Sequence, residues 1–444
     1  MSEKWKRVAF ADLIVERKGK YEPDSPEILE LSKIDKIDFS EGKLHLSEYN
    51  PTKTKQIIVE SGDFVFSGLN IEKGAAGFNE TERALVVSAN YSTCSYDDSQ
   101  VRLDFFKHYM RSKNFQKLLK DNLKKDYGFT RPKHLLPLSF LVPANKSDQE
   151  RIVLNYEKKK ETNTALETEI THQKNLLGKL KKAILQEAIQ GKLTADWRAA
   201  NPDVEPASQL LNRIQAEKAR LIAEKKIRKE KPLPKITPEE IPFEIPEGWE
   251  WCRITNATLT IVDCPHSTPK WTESGMTCVK TGQFQRFNLD LSRRHFVSKE
   301  TYNERVKRLT PLPNDILYSR EGGILGIACR IPAGEEICLG QRMMLLRPLD
   351  GASAAFIEMM LNAPHVTRIA EQSTLGGCAP HINVGEIKAF PIPLPPLAEQ
   401  AAIVERVETL MVTCRAMETE IEHSRTHAAD LLQAVLKEAF APTS

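Results

Sequence analysis

From Ile403 onward the apolar positions of this chain fall in alternating steps of four and three: Ile403, Val407, Leu410, Cys414, Met417, Ile421, Ala428, Leu431 and Val435, with Ser424 as the polar exception. That rhythm, sustained for about five heptads, predicts a long helix that pairs with another helix. Moved back by 251 positions it falls on Ile152, Tyr156, Lys159, Asn163, Leu166, Ile170, Gln173, Leu177, Leu180 and Ile184. The register survives there, with polar interruptions at Lys159, Asn163 and Gln173. Asn163 is expected to face the second helix and fix its register. The stretch Ile152 to Glu187 (187 − 152 + 1 = 36 residues) makes about 54 Å of helix at ~1.5 Å per residue, long enough for a spacer. Each helix opens after prolines, at Ser147 following Pro143 and at Glu399-Gln400 following Pro395-Pro396.

Elsewhere the pattern shortens. The runs "GDFVFS", "ALVVSANYS", "NDILYS" and "RMMLLRP" predict strands, while "FFKHYMRSKNFQKLLKDNL" and "AAFIEMMLNAPHVTRIA" predict helices. These runs also repeat. "ETEI" stands at Glu167 and Glu418 (418 − 167 = 251), and "AILQEA" from Ala183 faces "AVLKEA" from Ala434. "SGDFVFS" from Ser61 resembles "LPNDILYS" from Leu312, with Asp63 opposite Asp315 (315 − 63 = 252), and "WKRVAFADL" from Trp5 opens one block as "WCRITNATL" from Trp251 opens the other. Repeated motif order with slightly drifting spacing marks an old duplication. The expected segments are a first α/β block over 1–146, a long helix over 147–190, a linker over 191–246, a second α/β block over 247–396 and a second long helix over 397–444. Within the linker, Ala207 to Lys229 predicts a basic helix and "KPLPKITPEEIPFEIPEG" an extended proline-rich segment.

Charge sharpens the picture. The formal net charge is only +3, yet Arg102 to His134 holds ten Lys/Arg against three Asp, and Lys270 to Arg308 holds nine basic against four acidic residues. Two basic tracts in a nearly neutral chain fit contact with a polyanion. The eight cysteines are scattered without a C-x-x-C pair, so neither a zinc cluster nor a disulfide framework is implied. "MSEKWKRVAF" lacks the apolar core of a signal peptide and no stretch is long enough to span a bilayer, which predicts a cytoplasmic protein.

Catalytic motifs are missing. "GKLT" at Gly191 lacks the upstream glycine of a phosphate-binding loop, no G-x-G-x-x-G follows a strand, and "NPDV" at Asn201 is not the Asn-Pro-Pro-aromatic motif of a DNA adenine methyltransferase. Asp263, His266 and Ser267 lie close in sequence, but adjacency is not triad geometry. The chain is expected to bind and position while another protein reacts.

Two α/β blocks, each followed by a strand ending near proline and then a long helix, resemble the DNA-specificity subunit of type I restriction–modification systems. "PIPLPPLAEQAAIVERV" (Pro391 to Val407), its weaker copy "FLVPANKSDQERIVLNY", "AILQEAIQGKLTADWR", "PEGWEWCRI" and the loop "DCPHSTPKW" carry the resemblance. The first block departs from it in having no "PEGW" before Trp5 and Asp148 where the second copy has Glu399. The resemblance implies a non-catalytic bacterial host-defence subunit with an internal pseudo-twofold repeat. Each target-recognition domain would read one half of a split double-stranded DNA sequence, and two antiparallel coiled-coil helices would set the gap. Two methyltransferase subunits would dock on those helices, joined by restriction motor-nuclease subunits. S-adenosylmethionine, ATP and Mg2+ would be used by those partners, with no cofactor bound by this chain. A specificity subunit of another multi-subunit restriction–methylation system, or a coiled-coil adaptor binding only protein, are the alternatives.

Polar loops at the block ends supply the candidate DNA contacts, because loops on a rigid scaffold carry recognition. In the first block these are Lys18, Lys20, Ser67, Asn70, Lys73, Tyr91, Lys124, Lys125, Tyr127, Arg131, Lys133 and His134. In the second they are His266, Ser267, Thr268, Lys270, Arg320, Gln341, Arg342, His381 and Asn383. Arg and Gln can pair bidentately with base edges, whereas Lys mostly neutralises phosphate.

Overall fold

One strand order occurs twice along the chain. In the computed structural model, which describes residues 5–51, 53–123, 129–349, 351–373 and 380–440, an antiparallel sheet runs Ile14–Glu16, Tyr91–Tyr96, Phe64–Ser67, Ala76–Phe78. Its counterpart runs Thr260–Asp263, Met343–Arg347, Ile316–Ser319, Ala328–Arg330. A two-stranded ladder accompanies each: Trp5–Ala9 with Ser139–Pro143, and Glu250–Arg253 with Pro391–Leu394. Each half also has a four-stranded sheet with one parallel pair, Ser32–Ile37 beside Leu85–Ser88 and Met276–Val279 beside Ile337–Leu339. The copies diverge at the edge of this sheet. Gln56–Val59 covers Leu85–Ser88 in the first, whereas the second has the helix Lys299–Arg305 in the connection between Phe296–Val297 and Ile316–Ser319.

The chain divides into two compact units, Met1–His172 with Ile421–Ser444, and Gln173–Glu420. Each unit therefore contains one α/β block and part of both long helices. The first core is aromatic: Phe10, Phe64, Phe66, Phe78, Phe105, Phe106 and Phe140 are all buried together. The second is aliphatic and sulfur-rich, with Leu317, Cys329, Ile337, Met343 and Leu345. Each such side chain contributes roughly 1.5–3 kcal/mol on burial, so either set sustains the same layers. Seven cysteines are described; all are free and buried, and burial pushes the Cys252 thiol up to about 12.

Both predicted helices of the α/β blocks are broken in two. Leu103–Tyr109 stops before Ser112, whose hydroxyl caps Lys113–Asn122 by accepting from Phe115 N–H at 3.2 Å. Pro364 ends Gly351–Asn362 and opens Pro364–Gln372, because its ring and missing N–H suit only a first turn. The linker helix ends at Ala223, short of Lys229, where Lys225 turns to φ 58°. Beyond it the proline-rich stretch is docked: the buried Arg253 guanidinium binds both oxygens of Glu240 (2.5 and 2.9 Å) and the carbonyls of Pro234 and Lys235.

The long helices run Lys146–Ile189 and Leu397–Ala439. In the first unit Val153 and Tyr156 share a core with Val435, Leu436 and Phe440. In the second Lys181 pairs with Glu418 at 2.6 Å. The start of one helix meets the end of the other, so they are antiparallel. Their seam is thinner than the heptad pattern predicts. One series, Tyr156, Asn163, Ile170, Leu177 and Ile184, is buried, as are Val407, Cys414, Ala428 and Val435. The alternate series stays open: Leu166, Leu180, Leu410, Met417 and Leu431 are each more than a third exposed. Asn163 turns its amide to Glu167 of its own helix at 3.2 Å rather than across the seam. Among the described residues, no helix is long and apolar enough to cross a membrane.

The duplication reaches individual hydrogen bonds. Gln149 and Gln400 are both fully buried and donate to the carbonyls of Pro143 (3.0 Å) and Pro395 (2.9 Å) at the helix starts. Asp63 and Asp315, both buried, each accept a main-chain N–H three residues upstream and hold an arginine, Arg17 and Arg347 respectively. The arginines come from non-equivalent positions, so the anion was kept and its partner changed.

Candidate nucleic-acid interface

Three main-chain hydrogen bonds frame the candidate site of the first unit. Ser67 N–H donates to Ala75 O (2.9 Å), Gly68 N–H to Asn90 O (3.3 Å) and Thr130 N–H to Gly68 O (2.8 Å). The second unit has the same three, every partner moved by 252: Ser319 to Ile327 (2.9 Å), Arg320 to Arg342 (3.1 Å) and Ile382 to Arg320 (2.9 Å). A loop arriving before a short helix thus crosses the end of a central strand in both units. The side chains on this shared frame differ: Gly68 against Arg320, Asn90 against Arg342, Phe129 against His381, Arg131 against Asn383.

In the first unit the frame gathers Ser67, Asn70, Tyr91, Arg131 and His134. The tip of the Phe129 ring lies against Gly68, where an added Cβ would stand 2.4 Å from it, so a larger residue there would have to displace the ring. Arg131 is exposed, with its guanidinium 5.9 Å from the Phe129 ring. Its N–H donates to His134 Nδ1 (3.1 Å); burial, then the Lys133 and Arg131 charges, hold that imidazole below its usual range. Ser67 is buried and pairs with half-buried Tyr91 across the strands, while Lys73 and Lys133 are exposed. Lys18 and Lys20, also exposed, leave the edge strand beside Thr93. Arg111 supports the turn bearing Asn70 and Lys73 by donating to the carbonyls of Gly74 (2.6 Å) and Ala76, and burial lowers its pKa to about 10. Lys124, Lys125 and Tyr127 lie outside the described residues.

In the second unit His266, Ser267, Thr268, Gln341 and Arg342 converge. Gln341 Nε2 donates to the His266 carbonyl (2.5 Å) and Thr268 Oγ1 to Gln341 Oε1 (3.4 Å). His266 Nε2 turns to Asp263 at 3.1 Å, and Asp263 also holds Arg320 at 3.0 Å. That arrangement uses Asp263 to fix loop geometry. Arg320 is 7% exposed and holds Asp263 through Nε and Nη2; Ser67, at the equivalent end of the first unit's central strand, is buried as well. Arg342 is exposed at φ 68°, a left-handed conformation costing a non-glycine residue on the order of 1 kcal/mol. Such strain persists where the surroundings enforce it, and functional sites are where it collects. Gly322 N–H to Pro380 O (2.9 Å) and a bridge from Glu321 to His381 bring His381 alongside, with Asn383 exposed two residues on. Lys270 is exposed on the outgoing loop.

Sequence reasoning missed half of this site. A cleft of about 800 Å³ is lined by Thr268, Gln341 and Arg342, and also by Trp271, Lys280, Arg293 and His295. The Lys280 ammonium stands 4.1 Å from the Trp271 ring centroid, and His295 meets the same ring edge-on at 5.7 Å. Burial, then the Lys280 charge, lower the His295 pKa. A basic cleft with a partly exposed indole suits stacking and phosphate contact. The tract from Lys270 to Arg308 was the available signal; the sheet decides which of its cations face inward to the cleft.

Comparison with known proteins gives concordant relatives. Residues 268–423 match the family described as type I restriction modification DNA specificity domain. The EcoEI specificity subunit of Escherichia coli is 30% identical over 270 residues, covering 57% of this chain and 44% of that protein. The EcoAI specificity subunit of Escherichia coli is 30% identical over 261 residues, covering 57% and 43%. The chain thus spans less than half the length of these curated relatives. Among solved structures, one described as the structural basis of complex assembly and conformational transition of the type I R-M system aligns with a TM-score of 0.61 at 17% identity, over 98% of this chain and 97% of that one. The HsdS subunit from Thermoanaerobacter tengcongensis aligns with a TM-score of 0.53 at 17% identity, over 98% and 96%. At that identity the structures speak for the fold.

Proposed function

We propose that the chain is a member of the type I restriction–modification specificity-subunit family, which residues 268–423 and its 30%-identical relatives support, and that it is the component that reads DNA for a two-part target. Each α/β unit reads one half-site, and the paired helices set the gap between the halves. Two methyltransferase subunits dock on the helices and methylate adenine N6 with S-adenosylmethionine; ATP- and Mg2+-dependent motor-nuclease subunits join them for cleavage. The observation that carries the reading is the shared frame with exchanged side chains. Two matching main-chain frames bearing Asn90 and Arg342, or Arg131 and Asn383, at equivalent points are what two readers of different sequences require. Leu166, Leu180, Leu410, Met417 and Leu431, left open on the helices, support protein docking there.

Exchanging Trp5 to Pro143 for the equivalent block of a related subunit is expected to replace one half-site and leave the other. Mapping methylated adenines in cells carrying the chimera reads this directly; two altered halves would mean the units read DNA jointly. At single residues, Arg131→Ala and Arg342→Ala are each expected to cost about 1–3 kcal/mol of binding and to relax a single position in opposite half-sites. Duplex titrations of both variants check this, and unchanged affinity and sequence in both would overturn these contacts.

A further inference from the structure

Arg305 is the last residue of the helix Lys299–Arg305 and is 5% exposed. Among the described residues it has no carboxylate partner. Its guanidinium instead donates to four main-chain carbonyls: Nη1 to Ser267 (3.0 Å), Nη2 to Pro265 (3.2 Å) and Gly340, and Nε to Leu339. Those carbonyls belong to two separate loops. One carries His266, Ser267 and Thr268, the other Gln341 and Arg342. Three residues on, Arg308 donates to the carbonyls of Asp263 (3.0 Å) and Cys264 (3.3 Å), continuing the same row. The second loop has little freedom of its own. Gly340 N–H binds Val279 O at 2.9 Å, and a Cβ at Gly340 would stand 2.3 Å from that carbonyl oxygen.

We propose that Arg305 is a specificity-positioning residue: it locks the two recognition loops of the second unit to each other from beneath without touching the nucleic acid. A planar guanidinium with five donors in fixed directions can join two loops at once, which a lysine ammonium cannot reproduce. The carbonyls it binds flank His266 in one loop and immediately precede Gln341 and Arg342 in the other, so its loss moves His266, Gln341 and Arg342 relative to one another. Sites whose supporting shell is loosened keep their residues and lose their geometry. In the first unit the chain between the strands Leu44–Glu48 and Phe64–Ser67 carries the strand Gln56–Val59 and, among the described residues, no helix, so the device is peculiar to the second unit.

The inference rests on the DNA-reading proposal, and one experiment separates the two. Wild-type full chain is used to select a bound consensus from a randomised duplex pool; failure to enrich any sequence overturns the DNA reading and with it this role. Arg305→Met and Arg305→Lys are then titrated with a consensus duplex and duplexes scrambled in either half, over a series of salt concentrations. The expected result for Arg305→Met is a tenfold or larger loss of discrimination in one half-site, the other half unchanged. Affinity for scrambled DNA and its salt slope stay as in wild type, since no phosphate contact is lost. Arg305→Lys, which keeps the charge, is expected to lose part of the discrimination and serves alone if the methionine variant fails to fold. Wild-type discrimination in a folded variant overturns the proposal. So does a salt slope lowered by about one, which marks a direct phosphate contact.

Discussion

Glu399→Ala lowers the stability of the second unit by about 3–5 kcal/mol, the usual cost of leaving a buried charge without its partner. The carboxylate is 1% exposed and accepts from three side chains at once. Oε2 accepts from Trp249 Nε1 at 2.7 Å; Oε1 accepts from Thr194 Oγ1 at 2.7 Å and from Arg198 Nη1 at 2.5 Å. Through these bonds the start of the second long helix is joined to the turn after the first and to the strand that opens the second block. Removing it leaves the buried Trp249 N–H and Thr194 hydroxyl without their acceptor and the partly buried Arg198 guanidinium without its counter-charge. The first copy supplies the control. Asp148 stands in the equivalent place but is partly exposed and pairs with the exposed Arg151 at 3.1 Å, so Asp148→Ala is expected to cost less than about 1 kcal/mol. Urea unfolding of both variants decides the matter; equal effects would mean that the Glu399 cluster contributes nothing beyond a surface pair.

A second large effect is expected from lengthening the helices. Four residues added between Lys174 and Asn175, with four more between Ser424 and Arg425, extend both helices by about 6 Å and turn their ends by about 40°. The sites are matched through the Lys181–Glu418 pair, since 174 is seven before 181 and 425 is seven after 418. Residues 171–176 and 422–427 are exposed, and a four-residue insertion is absorbed as a stutter, so the protein folds. Both half-sites stay as they were and the gap between them grows by one or two base pairs, at about 3.4 Å per pair. Methylation mapping in cells carrying the variant provides the readout. An unchanged gap at full activity would remove the helices from the role of ruler, and altered half-sites would tie the recognition loops to them.

The long helices and the duplication were legible because they depend on period, and period survives substitution. Gln149 and Gln400 keep the same proline carbonyl, and Asp63 and Asp315 the same upstream N–H, across cores that have drifted from phenylalanine to cysteine and methionine. The seam was overread for a physical reason. A heptad names two apolar series, yet only contact geometry decides that Val407 and Cys414 are covered while Leu410 and Met417 stay open. In the candidate interface, the loop residues around His266 and Gln341 could be guessed from polarity. Trp271, Lys280, Arg293 and His295 could not, because nothing in their spacing says that strands two and four residues long will bring them to one cleft. Arg305 is the extreme case: in sequence it is one basic residue among nine, and only its carbonyl partners set it apart.

Phe440 also bears on the order in which the molecule can assemble. Its ring, 2% exposed, sits 5.0 Å from Phe105, and its carbonyl accepts from Asn114 Nδ2 at 2.7 Å. The first unit begins with residues that leave the ribosome early, yet its core closes only with residues 421–440. A nascent chain usually completes domains in the order they are made. Here the second unit, contained within 173–420, has all its parts before the first does. Through most of synthesis the aromatic core around Phe105 waits open, bridged by a contact more than 300 positions long, and non-local closures of that kind are slow. The unit that starts earlier in this sequence is therefore finished after the one enclosed within it.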